Sequence, residues 1–410
     1  MIEIVDEKIE NPTIIKVIGV GGAGCNAINR MIEVGIKGVE FIAANTDIQH
    51  LKTIKAPIKI QLGPKTTGGL GAGGIPEVGE KAAIETKDEI AETLKNADMV
   101  FIAAGMGGGT GTGASPVIAS IAKEMNILTV GVVTKPFGFE GKRRKEQAES
   151  GINNLMKYVD SLIVLNNDNI LKNSPKNISY YECFALANDV LKNAVQGVAE
   201  LITGTGLINL DFADLKSVMS NKGRAVMGCG VGRGENKAIE AIENAISSPF
   251  LENNSIEGAT GVLINIASGD DIKIQEVNQI VSTISKQIDE NANLIYGHIF
   301  DKELKDEIKV TIVATGFKDN NISVQPQQNV IEMKTPAMQF KFIPDKELEK
   351  PAFKRYLNLK DSKIGNEDKI VKELSPEQKL NDKIPQIFFE WDQQNYDIPA
   401  YLRVTRKEKN

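Results

Sequence analysis

Three glycine-rich segments carry most of the chemistry legible in this sequence. The first, Gly19-Val20-Gly21-Gly22-Ala23-Gly24, has the GxGxxG spacing. Between a strand and a helix, such a loop turns backbone N–H groups and the positive helix end toward a phosphate. The second, Gly105-Met106-Gly107-Gly108-Gly109-Thr110-Gly111-Thr112-Gly113, is denser still. Each glycine costs roughly 0.5–1 kcal/mol relative to alanine. That cost is tolerated where the backbone must approach a multiply charged anion closely. Thr110 and Thr112 add hydroxyls for phosphate or metal. The third, Gly68-Gly69-Leu70-Gly71-Ala72-Gly73-Gly74, reads as a mobile flap over a terminal phosphate. A GxxxxGK[ST] segment is absent from the sequence, which closes the P-loop route.

Two readings of the first loop compete. An NAD(P)-dependent oxidoreductase wants an acidic residue about 20 positions on for a ribose hydroxyl, and Asp47 fits. Such an enzyme has no need of a second cradle, whereas a di- or triphosphate with Mg²⁺ does.

Other polar residues admit a bland and a sharp reading. Glu140 and Arg144 are four apart, the spacing of an exposed helix ion pair. Phe184 and Asn188 share one helix face, where core packing is the default for the phenylalanine. Asn209-Leu210-Asp211-Phe212-Ala213-Asp214 opens a helix, with Asp211 as N-cap and Asp214 in the first turn. Phosphoryl transfer also needs a group to orient the attacking water, and a capping carboxylate is held in place for that. His50 and His298 stand in no metal spacing and read as plain surface or core residues.

The elements that must position these residues alternate. Apolar runs at 14–20, 39–44, 99–104, 128–134 and 161–165 read as buried parallel strands. Helical stretches at 26–34, 76–95 and 115–125 lie between them, so the expectation is a Rossmann-like parallel sheet with helices on both faces. Residues 180–202 form a long helix with Phe184, Ala187, Leu191, Ala194, Val198 and Leu201 on one stripe. It is long enough to pack against two bodies. Strands at 224–230, 262–267, 294–300 and 308–315, with helices at 235–247 and 272–290, make a smaller second α/β domain. The expected division is a flexible start at 1–12, a nucleotide-binding domain at 13–179, the central helix at 180–203 and the second domain at 204–317.

Composition narrows the function classes. All but one of the 37 glycines, Gly365, precede residue 318. Residues 318–395 instead hold six prolines among many charges and read as a mostly disordered linker, followed by a short peptide at 396–410. Cys25, Cys183 and Cys229 are scattered, which excludes a cysteine-rich zinc site and suits a reducing compartment. The net charge of −6 gives no electrostatic reason to bind nucleic acid or an anionic membrane. Neither an export signal nor an 18-residue apolar run is visible, so a cytoplasmic protein is expected.

The order of these motifs resembles the tubulin/FtsZ family of GTPases, in its FtsZ cell-division branch. The likeness is carried by Gly19 to Asn26, Asn45-Thr46-Asp47, the flap, Gly107-Gly108-Gly109-Thr110-Gly111-Thr112-Gly113, Lys135-Pro136-Phe137 through Arg144, Phe184 to Asp189 and Asn209 through Asp214. It resumes at Asp397-Ile398-Pro399-Ala400-Tyr401-Leu402-Arg403, similar to the family's partner-binding tail. Ile75 departs from the polar residue usual before the flap proline. The resemblance implies GTP as substrate, with Mg²⁺ held mainly by phosphates and water. It places nucleotide contacts at Gly21, Gly22, Ala23, Gly24, Cys25, Asn26, Asn45, Asp47, Gly71, Ala72, Gly73, Gly107, Gly108, Gly109, Thr110, Gly111, Thr112, Gly113, Thr134, Glu140, Arg144, Phe184 and Asn188. Phe184 would lie against guanine, with Asn26 and Asn188 on the base edge. The catalytic set would be Asp211, Asp214 and Asn209, reaching the nucleotide of the next subunit in a head-to-tail filament. The tail would bind membrane adaptors and division proteins at the division site, with no direct membrane insertion.

Overall fold

The computed structural model describes residues 13–172, 174, 177–204, 211–220, 223–248, 256–302 and 304–317, all within one compact unit, Met1–Gln325. Asn209, the expected linker and the expected tail peptide lie outside the described residues.

Six strands form the first sheet: β1 (Ile15–Val20), β2 (Glu40–Asn45), β3 (Ile58–Gln61), β4 (Met99–Gly105), β5 (Leu128–Lys135) and β6 (Ser161–Asn166). They are parallel in the order β3-β2-β1-β4-β5-β6. The order reverses between β1 and β4, and in open α/β sheets ligands bind outside the strand ends at that switch. Both dense glycine loops sit there, at the C-terminal ends of β1 and β4. The residues of β1 and β4 are buried almost without exception, because helices cover both faces.

The helices of this half are α1 (Gly21–Val34), α2 (Ile48–Thr53), α3 (Pro64–Thr67), α4 (Pro76–Glu85), α5 (Lys87–Leu94), α6 (Thr110–Glu124), α7 (Lys142–Leu155) and α8 (Asn167–Lys172). Several boundaries differ from the sequence reading. Residues 76–95 are two helices, because the Thr86 hydroxyl bonds back to the Ala82 carbonyl at 3.0 Å and the chain bends there. Helix α1 starts at Gly21 and α6 at Thr110, inside the glycine loops, with Pro116 within α6 rather than at its start. Glycine and threonine propensities mark those turns as loop, yet tertiary packing makes them the first turns of helices. The short strand β3 escapes an apolar-run search, since only Ile60 is fully buried.

The central helix α9 (Tyr180–Thr203) begins with a capping box, Ser179 and Glu182 each bonding the other's backbone N–H. Its buried stripe packs in one cluster with β4 and β5 and with Met227, Leu263 and Val313 of the second half, so it packs against both halves of that unit. At Gly197 a Cβ would come within 2.7 Å of Thr311 Cγ2, which only a glycine avoids.

The second half contains α10 (Phe212–Met219), β7 (Gly223–Arg233), α11 (Lys237–Ile246), β8 (Gly261–Ser268), α12 (Ile274–Ser285), β9 (Asn293–Phe300) and β10 (Glu307–Thr315). Strand β7 joins the two halves. Its first three residues run parallel to β6, and the rest pair antiparallel with β10. Beyond β10 follow β8, antiparallel, and β9, parallel to β8. The ten strands thus form one continuous order.

Helix α4 crosses α6 so closely that a Cβ on Gly113 would sit 1.9 Å from the Pro76 carbonyl oxygen. Gly113→Ala is therefore expected to lower stability by about 1–3 kcal/mol. Urea unfolding checks this: the midpoint should fall at constant slope, and an unmoved midpoint would mean that the crossing relaxes freely.

Candidate functional site

Two helix N-termini meet at the switch point without any side-chain cap. Val20 precedes α1 and Gly109 precedes α6, and neither side chain supplies a capping bond. The first-turn N–H groups of both helices therefore need an external acceptor. The two ends are close: a Cβ on Gly21 would lie 2.9 Å from the backbone N of Gly111, and Gly21 has φ +70°. Aligned peptide dipoles add positive potential at the same spot.

A cavity of about 390 Å³ opens over these ends. Gly22, Ala23, Gly108, Gly109, Thr110 and Gly111 form its floor. A Cβ at Gly22 or Gly108 would meet nothing within 4 Å, so the bare backbone leaves room for a ligand there. One wall is α9, through Phe184, Ala187, Asn188 and Leu191; Asn26 faces the cavity from α1. Thr134, Pro136, Glu140, Arg144 and Asn167 complete the rim.

Glu140 lies in a short 3-10 turn, Gly138–Glu140, rather than in α7. It pairs with Arg144, and its other oxygen accepts the Phe137 N–H at 2.8 Å. The ion pair expected from the spacing is thus present and also stands on the cavity rim. Aromatic rings cluster beside it. Phe184 meets Phe137 edge-on at 5.2 Å and Tyr180 at 5.0 Å, and Phe139 stacks on Phe137 at 5.0 Å. Phe184 is the aromatic among the described lining residues, and such a ring suits the π-face of a planar base.

A cradle of backbone donors beside an aromatic wall fits a nucleotide phosphate at one end and its base at the other. The comparisons with known proteins agree. The tubulin/FtsZ family, GTPase domain, matches residues 14–175, and the FtsZ family, C-terminal domain, matches 223–318. FtsZ from M. jannaschii, solved as an empty dimer, is 44% identical, with a TM-score of 0.71 over 75% of this chain and 89% of that one. A point mutant of that FtsZ is 45% identical, with a TM-score of 0.71 over 75% and 92%. CetZ2 from Haloferax volcanii is 18% identical, with a TM-score of 0.66 over 75% and 94%, and shares the fold. The chain belongs to the tubulin/FtsZ family.

Membership in this GTPase family decides against the oxidoreductase alternative. Asp47, its candidate ribose ligand, is instead the N-cap of α2, accepting the N–H groups of Gln49 and His50 at 2.9 and 3.1 Å.

The cavity does not gather every residue singled out in the sequence. Cys25 is buried, its thiol aimed at the carbonyls of Gly19 and Ala44. Gly24 packs on β4, where a Cβ would lie 2.2 Å from the Ala103 oxygen. Thr112 does not line the cavity; its hydroxyl accepts the Gly107 N–H at 2.8 Å and holds the loop's own shape. Thr110 is bonded at 2.6 Å to Thr46. The flap bonds to the segment after β2 through Gly71 N–H to Thr46 O, Ile48 N–H to Gly69 O and a bridge between Asp47 and Leu70. Ala72 and Ile75 pack on Gly109, where a Cβ would come within 2.8 Å of both. Ile75 precedes α4 without a side-chain cap.

Asp211 and Asp214 are not at the cavity. Asp211 caps α10 and accepts the Asp214 N–H at 2.7 Å, as the spacing predicts. The far end of α10 is anchored by Ser161 Oγ on the Met219 carbonyl and Thr315 Oγ1 on the Val218 carbonyl. Ser161 opens β6, whereas the glycine loops close β1 and β4, so these carboxylates belong to the opposite edge of the sheet.

Sequence reasoning missed Asn167 and His50. Asn167 is buried on the cavity rim with its Oδ1 unpartnered among the described residues, an orphan that a ligand donor would satisfy. An asparagine that opens a short helix directly after a strand carries no periodic signal. His50 stands between Asn45 and Asn26. The other histidine, His298, is buried, bonded to Ser268 and held below its usual pKa by desolvation.

Burial pushes the Cys25 thiol from 9.0 up to about 12. A raised folded-state pKa means that its contribution is intact below pH 9 and is lost as pH rises toward 12. The stability advantage of wild type over Cys25→Ala should therefore shrink above about pH 9, by about 1 kcal/mol per pH unit. Urea unfolding at about pH 8 and about pH 10.5 checks this, and a constant difference would contradict it.

Proposed function

We propose that this protein binds GTP with Mg²⁺ at the β1/β4 crevice, assembles head to tail, and hydrolyses GTP in a site that the next copy completes. The separation of Asp211 and Asp214 from the cavity carries this reading. Glu140 is the one carboxylate among the described lining residues, and it is paired with Arg144. Among the described lining residues, none is a free carboxylate that could orient a lytic water in that cavity. The capped, exposed carboxylates at the other edge supply that group when copies stack.

Arg144 is the only cationic lining residue described, and Glu140 balances it. The phosphate charge then falls to helix N-termini, backbone N–H groups and Mg²⁺. No group of three or more His, Cys, Asp or Glu that could hold a metal occurs among the described residues. The ion would therefore be carried by phosphate oxygens and water, and it would neutralise charge developing on the transferred phosphoryl group. Gly22, Ala23 and Gly108 to Gly111 hold the phosphates, Glu140 and Arg144 the sugar and phosphates, and Phe184, Asn26 and Asn188 the base.

The solved relatives include an FtsZ dimer and a CetZ2 protofilament bound to GTPγS, which supports stacking of one chain on another. A head-to-tail contact that does not close yields an open filament. Hydrolysis weakens the contact and lets the filament turn over. The role is that of a division-ring polymer at the cytoplasmic face of the membrane, joined to adaptor and division proteins through Asp397 to Arg403. Among the described residues no helix is long and apolar enough to cross a membrane.

Asp214→Ala should lower phosphate release about a hundredfold or more while the monomer still binds GTP. In wild type, phosphate release per molecule should rise with protein concentration alongside light scattering, with GTP and not with ATP or GDP. Specific activity that stays flat on dilution to monomer would refute the shared site.

A further inference from the structure

The geometry points to His50 as a positioning residue that selects a 6-oxopurine over a 6-aminopurine in the base pocket. This deepens the guanine-nucleotide reading above and rests on it. The chain of hydrogen bonds begins at an unambiguous donor, the backbone N–H of Asp47. That N–H bonds Asn45 Oδ1 at 3.3 Å. Asn45 is buried and cannot turn freely, so its Nδ2 is the end facing His50 Nδ1 at 3.0 Å. An amide nitrogen only donates, so Nδ1 must accept and the imidazole proton sits on Nε2. Nε2 lies 3.0 Å from Asn26 Oδ1 and donates to it. Asn26 therefore has its oxygen occupied and presents its two Nδ2 protons.

Asn26 lines the cavity, so the polarity set at Asp47 is delivered to the base. Each partner in the chain has one orientation consistent with the one before it, which is how a tautomer is assigned from its neighbours. Guanine carries an O6 acceptor where adenine carries an N6–H₂ donor. A fixed amide donor pairs with O6 and opposes N6–H₂. Without His50, the Asn26 amide can rotate and accept from N6–H₂ instead. The Asp47 carboxylate, which accepts the His50 backbone N–H, holds the first turn of α2 and with it the ring. A site that commits its hydrogen-bonding polarity in this way rejects the wrong partner more strongly than one that does not.

The test is competition of GTP, ITP and ATP against a fluorescent GDP analogue on the full chain. The variants are His50→Ala, His50→Gln and Asn26→Asp. ITP has the O6 acceptor of GTP but lacks the 2-amino group. In wild type, GTP and ITP should both outcompete ATP. His50→Ala should reduce the preference of both over ATP about tenfold. His50→Gln, which keeps one acceptor and one donor, should restore most of it. Asn26→Asp, acceptor only, should shift preference toward ATP and keeps the proposal testable if His50→Ala melts. Unchanged GTP-to-ATP and ITP-to-ATP ratios in folded His50→Ala would overturn the assignment. So would ITP binding as poorly as ATP in wild type, since selection would then act at the 2-amino group. Absence of any guanine-nucleotide binding by wild type would instead refute the functional reading itself.

Discussion

Two helices end head-on, uncapped, at one point of a parallel sheet, and the rest of the molecule is arranged around that fact. Each N-terminus leaves backbone N–H groups without intrahelical partners and a positive partial charge. Placing α1 and α6 together would be unfavourable without an anion to share. Glycine makes the approach sterically possible: Gly21 faces Gly111, Gly24 sits on β4, and Gly109 receives the flap at Ala72 and Ile75. The density of glycine is thus a packing requirement as much as a binding one. On the cavity floor, the missing side chains of Gly22 and Gly108 leave open space for a ligand.

The second constraint is α9. Its first turns provide Phe184 and Asn188 to the cavity wall, and its later turns pack against β8 and β10, with Gly197 on Thr311. Strand β7 makes a second covalent and hydrogen-bonded link, pairing first with β6 and then with β10. The wall formed by Phe184 and Asn188 and the half that carries Asp211 and Asp214 are therefore parts of one packed body. Close packing of that kind transmits displacement instead of absorbing it.

Much of this was legible residue by residue. The apolar runs of β1, β2, β4, β5 and β6 are continuous because both sheet faces are buried, and the stripe on α9 has one helical period, so both emerge from sequence. The cap at Asp211 is local chemistry over three residues, and it stands as its spacing predicts. Boundaries inside the glycine loops were not legible. Helix α6 starts at Thr110 because α4 and the flap press on it, and no propensity scale contains that contact. Strand β3 and the break at Thr86 likewise depend on tertiary packing that no hydrophobic period reports.

The sequence by itself determined the class of ligand and the kind of sheet, because glycine spacing and hydrophobic period are one-dimensional signals of local backbone geometry. Only the tertiary structure decided which of the candidate side chains meet. It turned Cys25 and Thr112 inward, brought Asn167 to the rim, and carried Asp211 and Asp214 to the far edge. It also threaded His50 between two asparagines that lie 24 and 5 residues away. Such contacts are set by strand order and helix crossing, which bring remote segments together and leave no periodic trace in the chain.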